Sequence, residues 1–151
     1  MKTSIYLPYA ATLLAVAGPA FATLGGGTDT IIKDHMALKA SRRVSAFLGN
    51  YSVEEMTTAA ATVREYVTPD GVVFGIAWSG ISHPDLSVLL GNYKKEYEQA
   101  LQSNQTPRGK RHSHVASANI VVQKWGHMRG MKGRAYVTSL LPKGVTVDEI
   151  K

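Results

Sequence analysis

Apolar positions recur at helical spacing over one long stretch. Leu86, Leu89, Leu90, Tyr93, Tyr97, Ala100 and Leu101 fall three or four apart, with Lys94, Lys95, Glu96 and Glu98 between them. The pattern predicts an amphipathic helix of about five turns ending near Ser103. Ser82, Pro84 and Asp85 supply its start: a capping hydroxyl, a first-turn proline and a carboxylate three residues beyond the cap. A shorter helix is predicted over 29–40, where Ile31, Ile32, Met36 and Leu38 follow a Thr28-Asp29 start. Between the two helices the period changes to two, over 44–48, 51–53, 62–67 and 72–78. Thr68-Pro69-Asp70-Gly71 joins the last two runs, and Pro, Asp and Gly there meet the needs of a hairpin turn. Val72, Phe74, Ile76 and Trp78 would share one face, and Val73, Gly75 and Ala77 the other. Both faces are apolar, so this strand should be central and covered on both sides. Ile120–Trp125 and Arg134–Thr138 are the last strands. Short connections imply antiparallel pairing. The expected fold is α+β: an antiparallel sheet of about five strands, one long helix packed on it and a shorter N-terminal helix.

Two segments fall outside this pattern. Lys2, an apolar run over 5–17, Gly18-Pro19 and then Ala20-Phe21-Ala22 follow the order of a secretory leader. Residues 1–22 therefore read as a signal peptide cleaved before Thr23. The run is shorter than the roughly 20 residues a spanning helix needs, so no membrane span is expected after cleavage. A periplasmic or secreted location follows. Residues 23–151 read as a single domain, within which 103–116 is polar and basic and is expected to be a mobile loop.

The chain has no cysteine, which excludes disulfide frameworks, thiolate metal sites and cysteine nucleophiles. Net charge is +6, and loss of Lys2 with the leader leaves 16 − 11 = +5. That balance favours acidic partners and also serves solubility. No nucleic acid partner is expected.

Candidate chemistry concentrates at 126–134. His127, Arg129, Lys132 and Arg134 lie among Gly126, Gly130 and Gly133, with Trp125 and Tyr136 on the flanks as candidate surface aromatics. Exposed N–H groups and cations of this kind can hold an anion. A glycine-rich hairpin connection would carry the same residues for turn geometry alone. The Gly-Lys-Ser/Thr ending of a phosphate loop is absent. His112 and His114 would share one side of an extended strand and could approach a metal with His127. No acidic cluster accompanies them and no H-E-x-x-H pattern is present, so neither metal nor cofactor is expected. Glu65 shares the side of Val63 and Val67, an unusual place for a carboxylate, and with Asp70 and His127 it could supply acid–base groups. No G-x-S-x-G is present, and no catalytic residue is assigned.

Three segments together carry a resemblance. They are Arg64–Phe74 (R-E-Y-V-T-P-D-G-V-V-F), then Ala77-Trp78-x-Gly80 with Pro84-Asp85-Leu86 and Leu89-Leu90-Gly91, and Gly126–Gly130 through Gly133–Tyr136, with Leu141–Val145 near the end. The chain resembles an uncharacterised family of exported bacterial proteins, domain of unknown function 2844. The resemblance spans essentially residues 23–151 and implies a Gram-negative exported protein. It transfers no activity, cofactor or catalytic residue. The functional expectation is an exported, non-catalytic binding or assembly module of the bacterial envelope. Its partner would be an acidic polysaccharide or another exported protein, and the alternative is a small periplasmic hydrolase.

Overall fold

The computed structural model describes residues 24–103 and 112–151. The signal peptide expected over 1–22 lies outside the described residues, as does 104–111 of the expected loop. The elements are α1 (Thr28–Ala37), β1 (Ser41–Phe47), β2 (Ser52–Thr57), β3 (Ala61–Val67), β4 (Val73–Gly80), α2 (Leu86–Leu90), α3 (Lys94–Ser103), β5 (His112–Ala116), β6 (Ile120–His127) and β7 (Gly130–Val137). All seven strands join one sheet in the order β1-β2-β3-β4-β7-β6-β5. Every pairing is antiparallel. The α+β architecture and antiparallel sheet are as the sequence implies.

Seven strands exceed the five or so expected. The first half resolves into four strands, and part of the expected loop is strand: His112–Ala116 pairs with β6, placing Val115 opposite Val122. H-S-H-V-A has a single apolar anchor, so its local pattern carries no strand signal. The neighbouring β6 supplies the missing preference.

The long helix is two helices. Gly91 turns out of the helical region at φ 42 and ψ −111, and a 3-10 turn over Gly91–Tyr93 follows before α3 begins. Glycine crosses that region without a Cβ penalty. Leu89, Leu90 and Tyr97 are buried as the period requires, while Leu101 is exposed. The cap is Asp85, whose carboxylate accepts from the Ser87 N–H at 2.8 Å, three residues later than the expected Ser82.

Two core layers sandwich the sheet. On one face Leu24, Ile31, Leu89, Leu90 and Tyr97 pack over Met56, Val63, Ile76, Trp78, Val122 and Ala135. On the other, Tyr51, Tyr66, Phe74, Val121 and Tyr136 form an aromatic-rich layer capped by Ile150. β4 is central and buried on both sides. Its alternation breaks at one point. A bulge between Tyr66 and Val67 shifts the register to Gly75 and then Val73, and Phe74 turns into the aromatic layer away from Ile76 and Trp78. The small residues Gly75 and Ala77 face the C-terminal segment: a Cβ on Gly75 would lie 2.9 Å from Ile150 Cδ1. Residues 24–27 are docked against the helix-side layer. Leu24 is buried, and Gly25 N–H donates to Val73 O at 2.7 Å.

Trp78 lies flat over β7 because Gly133 has no side chain; a Cβ there would fall 2.2 Å from the indole Cζ2. Gly133→Ala is therefore expected to lose about 1–3 kcal/mol by overpacking. Urea unfolding followed by far-UV circular dichroism measures it, and an unchanged midpoint would contradict the packing.

Candidate functional site

The hairpin joining β6 and β7 is tight. His127 pairs with Gly130, leaving only Met128 and Arg129 in the turn. Arg129 is left-handed at φ 64. Gly126 has φ 124, and a Cβ there would meet Gly130 O at 2.1 Å. Gly126 and Gly133 thus answer to backbone and packing geometry.

The sequence-selected residues separate into three groups. Trp125, Lys132 and Arg134 lie on the aromatic-layer face of β6 and β7, Trp125 directly opposite Lys132 and Gln123 opposite Arg134. His127 and Arg129 are exposed at the hairpin end. Tyr136 is not a surface aromatic: it is buried among Phe74, Val121 and Leu140. Strand alternation puts it on the same face as Arg134, where the C-terminal segment covers it.

What forms around Trp125 and Arg134 is a groove of about 510 Å³ along the β5 side of the sheet. His112, His114, Gln123, Trp125, Arg134 and Asp148 line it. His112 and His114 do share one side of an extended strand, and His112 stands opposite Trp125. No group of three or more His, Asp or Glu side chains among the described residues is placed to hold a metal ion.

Arg134 organises the groove. Nε donates to Gln123 Oε1 at 2.6 Å, Nη1 donates to Val147 O at 2.7 Å, and the guanidinium lies over the Trp125 ring at 5.7 Å. The Asp148 carboxylate is 3.5 Å from Nη1 and is almost fully exposed, whereas the arginine side chain is only 17% exposed. Nη2 has no partner among the described residues. Among the described residues one edge of a fixed, planar fork is therefore open, with an indole beside it. Asp148 and Gln123 escape notice in the sequence. Thr146-x-x-Glu149 marks a capping box, which the structure forms, but nothing local says which strand that turn rests on.

The C-terminal segment bounds a second groove of about 530 Å³, lined by Leu48, Tyr51, Val53, Arg64, Tyr66 and Glu149 among others. Tyr51 donates to Glu149 Oε2 at 3.0 Å and Tyr66 donates to Lys151 O at 2.7 Å. Burial raises both phenols. Glu149 is held below the usual carboxylate range by the Thr146 N–H and then the Tyr51 hydroxyl.

Two titratable clusters lie on the helix side. Asp34 of α1 and Glu65 of β3 are both fully enclosed. Burial, then the charge of Glu65, then a hydrogen bond between the carboxyls push Asp34 up to about 9. At the other end of the layer, Trp78 Nε1 donates to His83 Nδ1 at 2.8 Å and Lys124 Nζ donates to Tyr97 Oη at 2.9 Å. Burial and then Lys124 lower His83, which keeps its Nδ1 lone pair for the indole. No helix among the described residues is long and apolar enough to cross a membrane.

Comparison with curated proteins and with solved structures gives no match. One family model matches residues 20–150, described as a protein of unknown function (DUF2844). That span takes in the whole sheet, both core layers and the groove. The chain belongs to this family of proteins of unknown function.

Proposed function

We propose that the protein is an exported, non-catalytic binding or assembly module of the bacterial envelope that engages an anionic polymer through the β5-side groove. The observation that carries this reading is the Trp125–Arg134 pair: an indole and a pinned guanidinium with one edge open among the described residues, lining one groove with His112 and His114. A sugar ring can lie on the indole while an acidic substituent takes charge-assisted hydrogen bonds from the guanidinium. Lys132, exposed opposite Trp125, adds long-range attraction at the rim. The hydrolase alternative draws little from the carboxyl pair Asp34 and Glu65, which sits under α1 out of a substrate's reach.

Calorimetric titration with polygalacturonate tests the reading. Binding should weaken as salt rises from 20 to 200 mM, since screening of exposed charges sets in over that range. Trp125→Ala should lose about tenfold in affinity, or about 1.4 kcal/mol, and Lys132→Gln a few-fold. Wild-type binding that ignores salt, or a Trp125→Ala variant that binds as tightly as wild type, would overturn it.

A further inference from the structure

We infer that Asp148 is a built-in competitor at the Arg134 anion subsite, and that the ligand is a carboxylate-bearing polymer whose carboxylate exchanges with that of Asp148. The inference rests on the groove reading above and names the chemistry of the ligand within it.

The argument starts from what Arg134 does with its donors. Gln123 Oε1 and Val147 O take Nε and Nη1 at ordinary hydrogen-bond distances, 2.6 and 2.7 Å. These are neutral acceptors, so they fix the guanidinium in place without cancelling its charge. A largely buried cation of this kind needs an anion. Asp148 is the one carboxylate the described structure sets against it, and the contact is poor: 3.5 Å, through a single oxygen, from a side chain that is 94% exposed. A close arginine–carboxylate pair is bidentate and shorter, near 2.7–2.9 Å. The site thus holds a carboxylate in a loose, solvent-exchanging geometry, and the cost of moving it away is small.

The backbone that carries Asp148 is not loose. Thr146 and Glu149 close a capping box on either side of it, and Ile150 is sealed into the aromatic layer against Gly75. Asp148 can therefore swing by side-chain rotation alone while Val147 O keeps its hold on Arg134. The displaced position opens into the groove that Trp125, Arg134 and Asp148 line together. A ligand carboxylate that takes the place of Asp148 on Nη1 and bonds Nη2 with its second oxygen would hold the atoms attached to it beside the indole. A uronic acid residue, with its carboxylate on the sugar ring, has that shape.

The test compares wild type with Asp148→Asn in titrations against polygalacturonate and against dextran sulfate, which is more highly charged but carries no carboxylate. Asp70→Asn is the charge control; Asp70 is exposed in the β3–β4 turn and removes the same charge far from the groove. Asp148→Asn should bind polygalacturonate about three- to tenfold tighter than wild type. Asp70→Asn should change it less than twofold, and the gain for dextran sulfate should be smaller than for polygalacturonate. Equal or weaker polygalacturonate binding by Asp148→Asn overturns the inference. So does an equal gain in Asp70→Asn, because net charge would then be the cause, or an equal gain for dextran sulfate, because carboxylate would not be the preferred chemistry. If no variant binds either polymer, the groove reading and this inference fall together. If wild type binds and Trp125→Ala does not, but Asp148→Asn is unchanged, the inference alone falls.

Discussion

Replacing Asp34 by Asn will make the protein progressively more stable than wild type as pH rises from about 4 to about 9. The cause is the enclosed pair Asp34–Glu65. An aspartate in the unfolded chain releases its proton near 3.8, whereas in the fold burial and Glu65 hold Asp34 up to about 9. Between those values the native state binds a proton that the unfolded state has lost. Stability then falls with rising pH by up to about 1.4 kcal/mol per unit. The sign follows from the raised value: the contribution is fully present below the unfolded pKa and is gone once pH passes the folded one. Asn has nearly the same shape, offers an N–H₂ donor to Glu65 and binds no proton in this range. The two stability curves should separate by several kcal/mol across the span. Urea midpoints at pH 5, 7 and 9 for both proteins measure it. Parallel curves would mean that Asp34 is ionised in the native state.

Trp78→Ala should cost about 3–5 kcal/mol, the usual range for deleting a fully enclosed tryptophan. Trp78 is buried in the helix-side layer, spans the β4–β7 pairing over Gly133, and its Nε1–H is satisfied by His83. Alanine leaves a cavity on both strands and an orphaned imidazole acceptor. Trp78→Phe keeps most of the ring and isolates the hydrogen bond, at about 1–2 kcal/mol. Chemical unfolding monitored by far-UV circular dichroism gives both numbers. Near-equal losses in the two variants would mean that the indole N–H, and not ring volume, dominates.

Those two residues also show where the sequence is informative. Val63, Glu65 and Val67 alternate with polar neighbours, so Glu65 can be placed on the helix side from the sequence, and it lies there. Its partner could not be found that way. Asp34 sits in a short helix some thirty residues earlier, and its contact with Glu65 depends on how α1 lies across β3. The hairpin of β3 and β4 is legible because Pro69, Asp70 and Gly71 fix its turn locally, with Gly71 at φ 81. Phe74 is misplaced by the alternation because a bulge is a property of two strands together and leaves no mark on one. The groove divides in the same way. Trp125 and Arg134 stand out by residue type. Their neighbours His112, His114 and Asp148 come from segments whose docking depends on the sheet's far edge and on Ile150, so no local pattern gathers them.

The order of the strands has a kinetic consequence. β1 to β4 follow one another as neighbours, as do β5 to β7, so five of the six pairings link strands that are consecutive in the chain. The sixth, β4 with β7, joins Gly80 to Met131, roughly fifty residues apart, and a loop of that length costs several times RT to close. Local hairpins on either side form in microseconds, so this one seam is the step that sets the folding time. Until it closes, each half-sheet would present a bare inner edge, β4 on one side and β7 on the other. β4 and β7 are then the surfaces through which two unfinished chains would stick together, and any factor that shields them governs the yield of native protein.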